Sequence, residues 1–384
     1  MGIDKKIFID LVKSIILNKE IKISNINLQL MVKYAKFHSL EYIIYLALEK
    51  QDINKELDIY QKFKKIAKIN AYKCIVQDIE FDNVVNEFEK NKIKYLPLKG
   101  SILRKLYPDL QWRSMADLDI LIPSNEMIKA GKILVDFGYS EDHLGGNHDS
   151  YVKKPYMNIE LHRAMMNEVY NINNYYDDVW DRVKNVKEKN YMFALSDEDF
   201  FIFLITHAAK HFSGGGTGFR TIIDIYVFLE NKKLDFEYIY QELGKMELVK
   251  FCKLLIGLSN YIFKDKIEDL IVEDLDLVLN YIIDCGTYGT IENSNVQDIK
   301  NEDLKKGKND LVLRRLFPPF KMMKVRNPIL KKLPFLLPFF WIGRLIKGLF
   351  SFKKHKRTYD IIQNVDINKY NEVLKIKEIS GVKL

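Results

Sequence analysis

The sequence predicts an α+β fold in which a small mixed β-sheet is flanked by helical regions. Three observations support this prediction. Apolar residues recur at three- and four-residue spacing from residue 5 to about 91, short β-rich stretches fall within residues 93–195, and helical spacing returns at Ser196. The chain has 384 residues, 47% of them hydrophobic, which is enough for a large core and for two or three structural units.

The N-terminal part is predicted to consist of helices. Phe8, Leu11 and Ile15 lie at helical spacing near the start, and Phe81 and Phe88 mark one stripe of the last helix before the period changes. We therefore expect the sheet to begin after residue 91.

Three strand candidates define the sheet unit. Residues 93–98 (IKYLPL) are rich in β-forming side chains and run into a Gly-Ser turn, after which helical spacing resumes until Pro108. Residues 117–122 (DLDILI) and 156–162 (YMNIELH) alternate polar and apolar side chains, as strands with one buried face do. A helix is predicted over residues 125–137.

We divide the chain into four units on this basis. They are an N-terminal helical region at 1–91, the sheet core at 92–195, a helical domain at 196–300 that closes the cleft of the core, and a basic and apolar segment at 301–384. Ser196, followed by acidic residues, is a typical helix start signal.

Composition excludes several classes of protein. No stretch reaches the roughly 18 apolar residues of a membrane-spanning helix. Cys74, Cys252 and Cys285 lie far apart in apolar helical patterns, which argues against a disulfide framework or a thiolate metal site. Asp10 and Lys13 interrupt the first apolar run, so it does not match a signal peptide. We expect a cytoplasmic protein.

The pair Asp117 and Asp119 is the strongest chemical signal. Two carboxylates at this spacing on a strand project to the same side, and their repulsion is costly unless a cation lies between them. A hard divalent ion with oxygen ligands, Mg²⁺ above all or Mn²⁺, fits this arrangement. The same Asp-x-Asp pattern also occurs at solvated strand ends. A third carboxylate, Glu160, on a separate strand favours the metal-site interpretation.

Gly100 and Ser101 form the turn that precedes this strand. Glycine allows close backbone approach, and Ser101 at a helix N-terminus leaves N–H groups aimed at an anion such as a triphosphate. An ordinary strand-to-helix turn is the alternative. With a triphosphate at the turn and Mg²⁺ on the aspartates, the α-phosphorus would be presented for in-line attack. Glu160 would complete the metal site or accept the proton of the attacking hydroxyl.

These residues carry a family resemblance. The run LPLKGSILRKLYPDLQWRSMADLDILI, followed by NIELH, resembles the uncharacterised nucleotidyltransferase family, which is distantly similar to polymerase-β-type and aminoglycoside or lincosamide nucleotidyltransferases. YAKFHSLEYIIYLAL upstream, and THAAKHF with FRTIIDI downstream, are similar to helical parts of the family. The resemblance covers about residues 30–350.

The resemblance implies a fold, a reaction and a site. It implies a mixed sheet whose active face carries Asp117, Asp119 and Glu160 as catalytic and metal-binding residues, with Gly100 and Ser101 holding the triphosphate. A nucleoside monophosphate would pass from an NTP to a hydroxyl acceptor with release of pyrophosphate. The acceptor stays open among a small hydroxylated molecule, tRNA and a protein side chain.

Three further residues near these motifs are candidates for ligand contacts. Arg113 and Lys99 are placed where a cation could touch the triphosphate, although an Arg in a loop before a strand is usually solvated and the same alternative applies to Lys99 even more strongly. His162 follows Glu160 on the same strand face and either orients a ligand or is a hydrogen-bonded sheet histidine.

A second group of candidates lies on the helix after Ser196. His207, Lys210 and His211 share one helix face and, with Arg220, would bind phosphate or base from the helical side of the cleft. Buried, hydrogen-bonded histidines are the alternative. No Glu follows the first histidine, which excludes a zinc-protease motif. The glycine-rich run at 213–218 lacks the lysine of a phosphate-binding loop and is predicted to be a flexible connection.

The basic character of the chain is concentrated at 301–357. This stretch has 16 Lys and Arg against three acidic residues, whereas the whole chain has a net charge of +8. Mixed with aromatic and aliphatic residues, it suits weak contact with an anionic membrane surface or a nucleic-acid backbone. The alternative is that its apolar residues pack on the body of the protein. Its most apolar part, 333–342, is broken by Pro334 and Pro338 and is too short to span a bilayer.

The sequence thus favours a metal-dependent nucleotidyltransferase that uses an NTP. Two other classes stay open. One is a nucleotide- or RNA-binding module without turnover, and the other is a membrane-peripheral scaffold that uses the basic segment.

Overall fold

The computed structural model describes residues 1–166, 174–267, 271–287, 289, 316–327, 329–349 and 367–382. It confirms the predicted α+β class: a five-stranded mixed sheet and a small two-stranded sheet are flanked by helices.

The N-terminal part is helical, as predicted. Its elements are α1 (Ile3–Ile16), α2 (Leu28–His38), α3 (Glu41–Glu49) and α4 (Asp58–Lys90). Asn27 caps α2 by accepting a hydrogen bond from the backbone N–H of Leu30. The long helix α4 buries Phe81, Val84 and Phe88 against the sheet, which explains the stripe seen in the sequence.

The main sheet has the strand order β1-β2-β5-β4-β3. The strands are β1 (Leu96–Pro97), β2 (Leu118–Leu121), β3 (Ser140–His143), β4 (His148–Lys153) and β5 (Met157–His162). The β2–β5 pair is parallel and the other pairs are antiparallel. The crossover between β2 and β5 contains α6 (Met127–Asp136) and the β3–β4 hairpin.

Two details of the sheet differ from the sequence prediction. The first strand spans only two residues, because it lies at the sheet edge and includes Pro97, which has no N–H for a ladder. The β3–β4 hairpin was not predicted, since all four residues of β3 are exposed and polar and give no alternating signal.

Short elements connect the strands to the second helical part. They are α5 (Gly100–Leu103), 3₁₀ turns at Arg104–Leu106 and Leu110–Trp112, α7 (Val179–Arg182), β6 (Lys184–Asn185) and β7 (Phe193–Ala194). The strands β6 and β7 form the small antiparallel sheet.

Helices return after residue 196, as predicted. They are α8 (Asp197–Ser213), α9 (Phe219–Asn231), α10 (Phe236–Gly244), α11 (Val249–Phe263) and α12 (Val272–Cys285). The start signal is confirmed, because the hydroxyl of Ser196 accepts a hydrogen bond of 3.0 Å from the N–H of Asp199. One apolar core contains residues of α1–α4 and of α8–α12 together.

The glycine-rich run at 213–218 is packed, although we expected a flexible connection. Gly216 has a φ of +116°, and a Cβ there would lie 2.2 Å from the Sγ of Cys285. A Cβ on Gly218 would lie 2.6 Å from the Cα of Thr287. Neighbouring atoms leave no room for a Cβ at Gly216 or Gly218, and the positive φ of Gly216 also favours glycine. The run packs the start of α9 against the end of α12.

The C-terminal segment is described only in part. Its elements are α13 (Phe320–Arg326), α14 (Ile329–Lys332), a 3₁₀ turn at Pro334–Leu336, α15 (Leu337–Leu349) and α16 (Ile367–Ser380). Much of the predicted basic stretch, at 301–315 and 350–357, lies outside the described residues. Among the helices that are described, none has the length and hydropathy needed to cross a bilayer. The three cysteines are buried and free, as expected.

Candidate active site

A cavity of about 550 Å³ lies beside the β2–β5 pair. Its walls come from the turn after β1, from β2 and β5, from the loop before β4, and from α8 and α9. The sheet unit and the second helical part therefore both contribute side chains to the same cavity.

Three carboxylates meet on the sheet side of this cavity. Asp119 on β2 is the register partner of Glu160 on the parallel strand β5, and Asp117 comes directly before β2. One oxygen of each carboxylate lies within 4.8 Å of the others. Local strand geometry explains why Asp117 and Asp119 face the cavity. Leu118 and Ile120 point into the core, and side chains alternate along a strand, so the two aspartates point the other way.

A lysine and a histidine contact this acidic cluster. The Nζ of Lys99 lies 3.6 Å from Oδ2 of Asp119, and the Nε2 of His162 lies 2.9 Å from Oδ1 of the same residue and 3.4 Å from Oε2 of Glu160. Lys99 adopts a φ of +34°, a conformation that costs a non-glycine residue energy and that is typical of functional sites. Lys99 and His162 thus both contact Asp119.

The pKa values of the two aspartates are pushed apart. Burial, followed by the charges of Asp119 and Glu160, raises the pKa of Asp117 to about 6. Burial acts the same way on Asp119, but Lys99 and the hydrogen bond from His162 outweigh it and hold the pKa of Asp119 below its usual range. The ionised form of Asp117 is therefore disfavoured in the site, whereas that of Asp119 is favoured.

The same surroundings shift the pKa values of His162 and Lys99. Burial would lower the pKa of His162, but its hydrogen bonds to Asp119 and Glu160 raise it. Burial lowers the pKa of Lys99, and the attraction of Asp119 opposes that shift.

A second set of donor atoms overlaps the first. His148, Glu160 and His162 also bring one ligand atom each within 4.8 Å of one another. His148 starts the strand β4, is the register partner of His162, and has its Nε2 3.6 Å from Oε2 of Glu160. The sequence interpretation missed His148 because it missed β4. No alternation of polar and apolar residues marks this strand in the sequence HDSYVK.

The Gly-Ser turn lies at the cavity, but its two residues differ. Gly100 lines the cavity, and a Cβ there would lie 2.4 Å from the Sδ of Met115. Ser101 is buried outside the lining, where its hydroxyl donates a hydrogen bond of 3.2 Å to the carbonyl of Leu98. The helix that follows has only four residues.

Arg113 lines the cavity and is also part of a buried ion pair. Its Nε and Nη2 donate to the two carboxylate oxygens of Asp224 at 2.7 and 2.9 Å, and the hydroxyl of Tyr107 donates to the same carboxylate. This bidentate pair joins the loop before β2 to α9, a connection that the sequence interpretation did not contain.

His207, Lys210 and His211 form the opposite wall on α8, with Arg220 of α9 beside them. The two histidine Nε2 atoms are 3.1 Å apart. Burial and nearby positive charges lower the pKa of His207 well below its usual value and that of His211 to about 4, so both rings are neutral near pH 7. Arg220 donates to the carbonyl of Ser114.

The structure therefore brings most of the sequence candidates to one cavity. Asp117, Asp119, Glu160, Lys99 and Gly100 lie on the sheet side, the three residues of α8 lie across from them, and Arg113 lies between the two sides. Ser101 is the candidate whose side chain points elsewhere.

A mixed sheet that brings three carboxylates together at one cavity defines a class of proteins suited to binding a hard cation. The sequence model of a family described as uncharacterised nucleotidyltransferase matches residues 24–264, and the chain belongs to this family. The suspected resemblance is thereby confirmed, and with it the general class of nucleotidyl transfer. The match includes the whole sheet and ends at α11, before the basic segment. No curated protein and no solved structure matches the chain.

Proposed function

We propose that this protein is a metal-dependent nucleotidyltransferase that moves a nucleoside monophosphate from an NTP to a hydroxyl acceptor. The convergence of Asp117, Asp119 and Glu160 at one cavity is the observation that carries the proposal. The raised pKa of Asp117 supports it, since burial and the charges of Asp119 and Glu160 disfavour its ionised form and a bound divalent ion would relieve that repulsion.

The donor set fits a hard cation. Asp117, Asp119 and Glu160 would hold Mg²⁺ or Mn²⁺ through carboxylate oxygens, which are the ligands that both ions accept. When bound, the ion would neutralise the charge of the phosphates and orient them for in-line displacement. His162 occupies hydrogen-bond distance to two of the three carboxylates, so it orients them.

The remaining steps fall to side chains of the chain itself. The acceptor oxygen forms a bond to the α-phosphorus while the bond from that phosphorus to pyrophosphate breaks, and the hydroxyl proton passes to a carboxylate. Glu160 either accepts this proton or completes the metal site. Lys99 and the backbone at Gly100 face the phosphates, and Ser101 joins them when its hydroxyl leaves the carbonyl of Leu98.

The helical part closes the cleft in this proposal. His207 and His211 present neutral rings that hydrogen-bond a base or sugar, and Lys210 adds positive charge at the cavity. The cytoplasmic location and the division at residues 91, 195 and 300 stay predictions from the sequence.

The experiment that tests the function uses the full chain with labelled nucleotides. Wild type is incubated with Mg²⁺, each α-³²P-labelled NTP in turn, and an extract of the cells that make the protein. We expect one extract component to acquire label while pyrophosphate is released. Asp117→Asn and Asp119→Asn should lose the transfer at unchanged fold. Binding of NTP without pyrophosphate release by wild type would instead define a nucleotide-binding module.

A further inference from the structure

The described part of the basic segment exposes an unusual amount of apolar surface. Residues 316–342 contain nine of the 22 exposed large hydrophobic residues in the part of the chain that the structure describes. Phe335 and Phe339 are each 68% exposed, Ile342 is 54% exposed and Met322 is 50% exposed. A concentration of exposed apolar residues of this kind is typical of an interaction surface, whereas isolated ones are normal.

This surface belongs to an ordered element. The indole N–H of Trp341 donates a 3.0 Å hydrogen bond to the carbonyl of Pro318, and the rings of Phe317 and Trp341 meet edge to face at 5.5 Å. Met323 and Leu330 are fully buried, yet they belong to none of the three apolar cores of the body. The segment therefore buries some of its apolar side chains and still presents other large ones outward.

The charge of the segment indicates the chemistry of its partner. Residues 311–359 contain thirteen Lys and Arg and no Asp or Glu. Lys321 and Lys324 lie on α13, within the same described stretch as the exposed apolar residues. A surface with both features complements a partner that is negatively charged at its face and hydrocarbon beneath it.

We propose that residues 316–349 dock on the surface of an anionic lipid bilayer. The helix α15 has thirteen residues and a length of about 20 Å, so it can lie at the interface but cannot cross a hydrocarbon layer of about 30 Å. A nucleic acid would pair its phosphates with the lysines, but it would offer no hydrocarbon in which Ile342 or Met322 could be buried. A second copy of the chain would bring the same positive charge and repel. The docking goes beyond the proposed nucleotidyl transfer and does not depend on it.

Vesicle co-sedimentation of the full chain tests this proposal. The vesicles are phosphatidylcholine alone or phosphatidylcholine with 30% phosphatidylglycerol. We expect wild type to bind the anionic vesicles at least tenfold more strongly than the neutral ones, and the binding to weaken in 0.5 M salt. Phe335→Ser with Phe339→Ser should reduce binding at least tenfold, and so should Lys321→Glu with Lys324→Glu.

The matched control is Ile128→Ser on α6, which changes an apolar side chain that is 90% exposed but lies outside the segment. It should bind vesicles as wild type does, and all variants should share the wild-type melting temperature. Three results would overturn the proposal. They are unchanged vesicle binding by the phenylalanine variant, binding to a single-stranded RNA oligomer but not to vesicles, and sedimentation of wild type without vesicles through self-association.

Discussion

Asp119 and Glu160 are register partners on the parallel strands β2 and β5, and both carboxylates face the same cavity. They are 41 positions apart in the sequence, so the crossover through α6 and the β3–β4 hairpin is what brings them together. Parallel neighbours keep their side chains on the same face of the sheet. The geometry of the acidic cluster therefore depends on the register of one strand pair.

Replacing Asp117 with Asn should stabilise the metal-free protein. The pKa of Asp117 is raised to about 6, so between roughly pH 4 and 6 the folded state binds more protons than the unfolded state does. The protein accordingly loses stability as the pH rises through this window. We expect Asp117→Asn to raise the free energy of unfolding by roughly 1–3 kcal/mol at pH 8. Urea unfolding of both proteins in EDTA measures this difference in the free energy of unfolding.

The same comparison at pH 3.5 provides the internal control, because Asp117 is then largely protonated in both states and the gain should vanish. Asp136→Asn, on the exposed end of α6, should give no comparable gain at pH 8. Equal or lower stability of Asp117→Asn at pH 8 would show that the carboxylate cluster is not under repulsion.

His148 should influence which metal ion the site prefers. Its imidazole and that of His162 flank Glu160, and nitrogen ligands favour Mn²⁺ over Mg²⁺. We expect His148→Ala to weaken Mn²⁺ binding about 3- to 10-fold and Mg²⁺ binding less than twofold. Titration calorimetry on the nucleotide-free protein measures both. His143→Ala, a cavity residue outside the two donor sets, should change neither affinity. If His148→Ala lowered the affinities for Mn²⁺ and Mg²⁺ by the same factor, that result would contradict a role of His148 as a metal ligand.

The Arg113–Asp224 pair should contribute mainly to stability. Removing one partner of a buried ion pair leaves the other charge uncompensated, so Arg113→Met should lower the free energy of unfolding by about 3 kcal/mol. The double variant Arg113→Met with Asp224→Leu should recover a large part of that loss. Chemical denaturation of the single and double variants gives the comparison. If Arg113→Met kept wild-type stability and raised only the KM for NTP, the phosphate role would be favoured.

Lys99 should matter for the binding of the nucleotide. Its Nζ faces Asp119 at the cavity, so Lys99→Met removes a positive charge where our proposal places the phosphates. We expect the KM for NTP to rise about tenfold, the order of one lost charge-assisted contact. Lys105→Met, an exposed lysine six residues further along, serves as the matched control. An unchanged KM in Lys99→Met would exclude the phosphate contact.

The sequence predicts the parts of this fold that local periodicity determines. The alternation around Asp117 and Asp119 places them on one strand face because Leu118 and Ile120 must be buried, and the strand of Glu160 follows the same rule. The cap at Ser196 is likewise readable from local chemistry.

Other features depend on long-range contacts that no local pattern reveals. The hairpin that carries His148 has an exposed, polar edge strand, so neither hydrophobic period marks it. The pairing of Arg113 with Asp224 links residues 111 positions apart. The hydroxyl of Ser101 points to Leu98 because the turn is tighter and its helix shorter than the spacing predicts.

Transfer of label from α-³²P-NTP, compared with γ-³²P-NTP, measures the central claim most directly. With wild type, Mg²⁺ and an acceptor-containing extract, the α-label should appear on the acceptor and the γ-label should appear only in pyrophosphate. Asp119→Asn, shown to be folded by its circular dichroism, should transfer neither. Transfer of the γ-label to the acceptor, or wild-type transfer of the α-label by Asp119→Asn, would contradict the account.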